Sequence, residues 1–125
     1  MELQFTGREL DIMKVLWARG PSTVAEVRDA LEDDLAHTTV LTMLKVMEGK
    51  GFVSRRPEGR AHLYAAEVER EVAGESALTR LTERLFGGSP EELFMHLVDS
   101  GLSDEELRRM RDLLDERLGD AEEGR

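Results

Sequence analysis

His37-Thr38-Thr39-Val40-Leu41-Thr42-Met43-Leu44-Lys45-Val46-Met47-Glu48-Gly49-Lys50 runs directly into Gly51-Phe52-Val53-Ser54-Arg55-Arg56-Pro57-Glu58-Gly59-Arg60-Ala61-His62-Leu63-Tyr64. In the first part, Val40, Leu44 and Met47 recur at helical spacing and give the segment one apolar face, and Gly51 supplies a left-handed stop. The opposite face collects Thr38, Thr42, Lys45 and Gly49, flanked by Thr39 and Val46. Threonine is a mediocre helix former, and solvated helix faces more often carry Glu, Lys, Gln or Arg. A property other than helix stability therefore selected this face. In the second part, Phe52–Arg56 and Arg60–Tyr64 read as two strands around a Pro57-Glu58-Gly59 turn. A two-stranded hairpin is marginal alone and must lean on the helices before it.

Upstream, Thr6 with Glu9 and Thr23 with Glu26 each have the spacing of a capping box, in which two side chains satisfy backbone N–H groups of a helix's first turn. The first predicted helix places Leu10, Met13, Leu16 and Trp17 on its apolar stripe, with Trp17 in the core, and ends at Gly20-Pro21. The second is short, carries Val24, Val27 and Leu31 on one side, and is followed by the acidic loop Glu32-Asp33-Asp34. His37 reads as either a helix cap or a neighbour of bound ligand.

Downstream, everything reads as helix. Glu67–Phe86 carries Leu78, Leu81 and Leu85 and is broken by Gly87-Gly88. Ser89, Pro90 and Glu92 have the form of an N-cap, a first-turn proline and the closing acid of a capping box. The helix they open bears Leu93, Phe94, Leu97 and Val98. A last helix, capped by Ser103 and Glu106, bears Leu107, Met110, Leu114 and Leu118, with a polar, frayed tail expected from Gly119.

The fold class expected is mainly α with a small β-hairpin wing: a winged helix-turn-helix over residues 1–66, then a helical region over residues 67–125. A 66-residue module is small, and three amphipathic helices without an evident core of their own need a partner, most economically a second copy. Leu78, Leu81, Leu85, Leu93, Phe94, Leu97, Val98, Leu107, Met110 and Leu114 are the residues expected to make that homodimer.

Length and composition narrow the functions available. At 125 residues the chain has the size of one average domain, and with 40% hydrophobic against 35% charged residues its core must be modest. Apolar runs of only a few residues exclude a membrane-spanning helix, and Met1-Glu2-Leu3-Gln4 does not resemble a signal peptide, so a cytoplasmic protein without membrane insertion is expected. The absence of cysteine removes disulfides, thiolate metal sites and cysteine nucleophiles. There is no phosphate-cradling glycine loop, HExxH or Gly-x-Ser-x-Gly, and the three histidines are scattered, so neither an enzyme nor a metal or other cofactor is expected. Net charge is −10, yet residues 1–66 account for only −1 of it, and the acidity lies in the second half.

In a winged helix-turn-helix the helix before the hairpin enters the major groove of DNA while the wing reaches the backbone. Thr38, Thr39 and Thr42 offer hydroxyls to base edges and methyls to thymine. Lys45 and Lys50 can reach phosphates from the same helix. Arg55, Arg56 and Arg60, with His37 and His62, complete the candidate DNA-binding set, although strand alternation sends Arg55 and Arg56 to opposite faces. The competing reading is a winged-helix module that uses this surface to bind another protein.

Phe5-Thr6-x-x-Glu9, Met13-x-x-Leu16-Trp17-x-x-Gly20, Thr23-Val24-x-Glu26-Val27, His37-Thr38-Thr39-Val40-x-Thr42-x-Leu44, Lys50-Gly51-x-Val53 and Arg60-x-His62-x-Tyr64 together resemble the penicillinase repressor family, the beta-lactamase and methicillin-resistance repressors. The resemblance covers roughly residues 5–66 in order and spacing; beyond that, mainly helical pattern and length agree. It implies a homodimeric repressor of dyad-symmetric (palindromic) operators, with Thr38, Thr39, Thr42 and the basic wing on DNA. It also implies a sensor protease as partner, since family members are inactivated by triggered cleavage within the dimerisation helices, commonly at an Asn-Phe bond. The corresponding region here is His96-Leu97 and the chain has no Asn, so either that route is absent or another bond is cut. Copper-responsive relatives carry C-terminal cysteine pairs, which this chain lacks.

Overall fold

A computed structural model describes residues 3–124, so the Met1-Glu2 part of the N-terminal reading lies outside the described residues. The element order is α1 (Gly7–Arg19), α2 (Val24–Ala30), α3 (His37–Gly49), β1 (Val53–Glu58), β2 (Ala61–Ala66), α4 (Arg70–Leu85), α5 (Pro90–Val98) and α6 (Asp104–Glu123). Two compact units divide the chain, one ending at Leu78 and the other beginning at Thr79.

The capping arithmetic is realised in the first unit. Thr6 accepts from Glu9 N–H while Glu9 returns to the Thr6 N–H, and Thr23 and Glu26 do the same for α2. The N-cap of α3 is Ala36, with no side-chain cap, so His37 is the first helical residue rather than the cap. At the other end of α3, Gly51 N–H donates to Glu48 O at 3.0 Å and Phe52 N–H to Met47 O at 3.0 Å, with Gly51 at φ +82°. That is a Schellman stop, which a residue with a Cβ adopts only under strain.

Ile12, Met13, Leu16, Val24, Val27, Val40, Leu44, Met47, Phe52, Val53 and Tyr64 form the core. The α1 stripe is rotated from its expected position: Ile12 is fully buried, whereas Leu10 is exposed. Trp17 is only partly buried and packs against the core's edge, its indole N–H donating to Val68 O at 2.8 Å. Val68 and Ala73 join the same core. The chain after the hairpin therefore stays attached to the first unit, and α4 starts at Arg70 rather than at Glu67, whose N–H is taken by Phe52 O at 2.9 Å.

The strands are longer than their sequence suggests, and the turn is shorter. β1 and β2 pair antiparallel from Val53↔Ala66 to Glu58↔Ala61, leaving Gly59-Arg60 as a two-residue loop with Gly59 at φ +60°. Pro57 lies in the strand opposite His62, not in the turn. Glycine at the first loop position is what a tight hairpin of this kind selects. On the far side of β2, Ser22 and Tyr64 exchange backbone hydrogen bonds of 3.0 and 2.8 Å, which anchors the hairpin to the segment between α1 and α2.

In the second unit Ser89 caps α5 by accepting from Glu92 N–H, but its hydroxyl donates to Glu91 instead of completing a box with Glu92. Ser103 and Glu106 form a full capping box on α6. α6 continues through Gly119 to Glu123, so the expected fraying at Gly119 does not occur. Neither α5 nor α6 buries a residue.

Candidate nucleic-acid interface

The buried underside of α3, Val40, Leu44 and Met47, turns its opposite face outward. Thr38, Thr39, Thr42, Lys45 and Val46 are all exposed. Thr42 Oγ1 donates to Thr38 O at 2.9 Å, a bond back to the preceding turn that sets the hydroxyl's rotamer and leaves its methyl group available. Val46, at 49% exposure, lies among these threonines with nothing over it.

The basic residues separate into two groups. Lys50 Nζ donates to Glu9 Oε2 at 2.7 Å and sits 5.8 Å from the Phe52 ring centroid, so its charge is engaged at the junction of α1, α3 and β1. Arg55 reaches back to Glu48 of α3 at 3.4 Å. By contrast His37, Lys45, Arg56, Arg60 and His62 are exposed and have no hydrogen-bond or ion-pair partner among the described residues. The register places Arg55 with Tyr64 on the core-facing side of the hairpin and Arg56 with Leu63 on the other, and Arg60 stands at the wing tip.

Glu9 is the one buried acid of this region. Burial pushes its carboxyl up, but the hydrogen bonds and charge of Lys50 and the Thr6 N–H outweigh that and hold it below its ordinary value of 4.5. Sequence reading found Glu9 as a cap and Lys50 as a phosphate contact; a separation of 41 residues hid their pairing.

Leu78, the last residue of the first unit, is exposed, and in the second unit Leu81, Leu85, Phe94, Leu97 and Leu114 are exposed, while Leu93, Val98, Leu107 and Met110 are half-buried. Met95, Leu113 and Leu118, not among the expected contacts, are exposed too, at 62, 54 and 63%. His96 lies on α5, its ring 4.9 Å from that of Phe86 and its Nδ1 2.9 Å from Glu92 O. Among the described residues no cluster of His, Asp or Glu could hold a metal ion, and no helix is long and apolar enough to cross a membrane.

Helices α1–α3 followed by a hairpin that packs on them, with a polar outward face on α3, define a winged-helix transcriptional regulator. Comparison with known proteins makes this specific: the sequence matches the penicillinase repressor family over residues 5–116, and the chain belongs to that family. It is 36% identical over 102 residues to the transcriptional regulator BlaI of Mycobacterium tuberculosis, covering 78% of this chain and 73% of that one. It is 25% identical over 116 residues to the penicillinase repressor of Bacillus licheniformis, covering 90 and 91%. Among solved structures, transcriptional regulator Tm0710 of Thermotoga maritima superposes with a TM-score of 0.55 at 25% identity, covering 96% of this chain and 78% of that one. A MarR family protein from Bacillus stearothermophilus shares the fold at 19% identity and a TM-score of 0.54, covering 94 and 75%.

Proposed function

We propose that this protein is a homodimeric repressor in the cytoplasm that lays α3 into the major groove at each half of a palindromic operator, while the wing reaches the adjacent backbone. The observation that carries the reading is the α3 face itself. A row of threonines, poor in helix propensity, is held outward by a fully buried underside, beside a wing whose Arg56 and Arg60 side chains have no partner among the described residues. Thr38, Thr39 and Thr42 read bases; His37, Lys45, Arg56, Arg60 and His62 meet phosphate. Lys50 and Arg55 support these positions through Glu9 and Glu48.

The family and the Bacillus licheniformis relative, both described as penicillinase repressor, support repression as the activity. The dimer is supported by the exposed leucines of α4 and by α5 and α6, in which no side chain is fully buried within one chain. Pairing sets two α3 helices about 34 Å apart, the spacing of successive turns of the duplex. The excess acid of residues 67–125 disfavours DNA contact there and so favours one orientation. Whether a sensor protease relieves repression turns on α5, where Leu97 beside His96 is exposed.

Anisotropy titration of the full chain against the duplex upstream of its own gene tests the reading. Specific binding is expected, with log K falling by about 0.9 per log salt for each phosphate neutralised. Sedimentation is expected to give a dimer, and Leu97→Glu a monomer with unchanged helicity. Salt-independent or absent binding of every duplex would refute DNA recognition and favour the protein-interaction module; a monomeric wild-type chain would refute the dimer.

A further inference from the structure

A groove of 340 Å³ separates the start of α3 from the wing, lined by His37 and Leu41 of α3, the α2 N-cap Thr23, and Arg60, His62 and Tyr64 of the hairpin. No Asp or Glu lines it. The groove between α1 and α2, in contrast, includes Asp11, Glu32 and Asp33, and the one beside Trp17 includes Glu69 and Glu71. The groove between the two elements proposed to read DNA thus carries no acid in its lining. If α3 occupies the major groove and the wing reaches the adjacent backbone, the sugar–phosphate strand bordering that groove must cross this gap. Two of the chain's three histidines are here, and the third, His96, is in the other unit.

We propose that this groove seats a backbone phosphodiester of the duplex between His37, Arg60 and His62, and that the two imidazoles take up protons when it docks. The inference rests on the DNA-binding reading above and deepens it. Imidazole is the side chain whose ordinary titration falls between pH 5 and 8, and an anion in contact favours its charged form. Other charges near the groove are already engaged. Glu26 of α2 is held by the Thr23 N–H at 3.0 Å and by Arg19 at 3.2 Å. Arg55, on the same hairpin face as His62, is held by Glu48, and Glu58 is on the opposite face, across from Ala61. Among the described residues lining the groove, none of opposite charge competes with phosphate for His37 or His62.

The experiment measures affinity at constant ionic strength, at pH 6 and pH 8, for a fluorescein-labelled duplex from upstream of the gene and for a random duplex of equal length. A phosphate that raises an imidazole's proton affinity tenfold makes binding about sixfold tighter at pH 6 than at pH 8. With two imidazoles per protomer those factors multiply to about 36-fold per protomer, so the wild-type dimer is expected to bind both duplexes more tightly at pH 6 by at least that factor. The His37→Gln/His62→Gln double variant is expected to lose most of that difference, and His96→Gln to keep it. Arg60→Gln is expected to lower the salt slope by about 0.9 per protomer. Salt-dependent binding with equal affinity at both pH values, or a double variant with the wild-type pH dependence, would overturn the phosphate seat alone. Failure of the wild-type chain to bind either duplex at either pH would overturn the DNA reading with it.

Discussion

Replacing Glu9 by Gln removes a charge without removing a side chain, and the structure fixes what should follow. The amide keeps the volume and can still accept from the Thr6 N–H at the start of α1, so the capping box survives. The bond that suffers is the one from Lys50, now made to a neutral oxygen. A hydrogen bond to a charged group contributes about 1.5–3 kcal/mol, but Lys50 is 44% exposed and water can replace its partner, which brings the expected loss to about 1 kcal/mol. Trp17, the only tryptophan, reports on this unit, so its fluorescence in a urea titration is the assay. The expected loss at pH 7 corresponds to about 4–8 °C in melting temperature for a domain of this size. It should vanish in acid. Because folding lowers the Glu9 carboxyl below its ordinary 4.5, the stabilisation is present above that value and disappears as pH falls through the folded-state titration. Wild type and Glu9→Gln should then converge as pH falls through that titration. A difference within about 0.3 kcal/mol at pH 7, or one that does not shrink as the pH is lowered below 4.5, would refute the assignment of Lys50 to Glu9.

Two more expectations come from single side chains. The Tyr64 hydroxyl is buried with no hydrogen-bond partner among the described residues, so Tyr64→Phe should raise stability by about 1 kcal/mol in the same titration; a loss of that size would mean the hydroxyl has a partner after all. Val46, exposed among the α3 threonines, should contact a thymine methyl group: replacing the right operator thymine by deoxyuridine should weaken wild-type binding about fourfold per half-site and Val46→Ser binding hardly at all. If no thymine replacement separates the two proteins, Val46 does not face a base.

The elements of this fold were legible in proportion to how local their causes are. Thr6 with Glu9, Thr23 with Glu26 and Ser103 with Glu106 announced three helix starts because both partners of each box lie within one turn. Val40, Leu44 and Met47 gave the outward face of α3 by the same local periodicity. The hairpin turn was misplaced because proline was read as a turn former, whereas Pro57 sits in a strand and Gly59 alone takes the positive φ. Leu10 and Ile12 exchanged roles because α1 is buried by Phe52 and Tyr64, dozens of residues away, and only the packed chain reveals which way the helix faces. The same distance kept Lys50 from Glu9 and brought His37 unexpectedly alongside His62.

Pro57 has one more effect. Among the described residues β1 pairs only with β2, so the wing has a free rim of the kind along which proteins zip together into fibrils. A residue without an N–H, set next to two arginines, spoils that rim as a template and repels a neighbouring copy. The ribbon is thereby guarded against stacking on a second copy, and Pro57→Thr is the change expected to remove the guard.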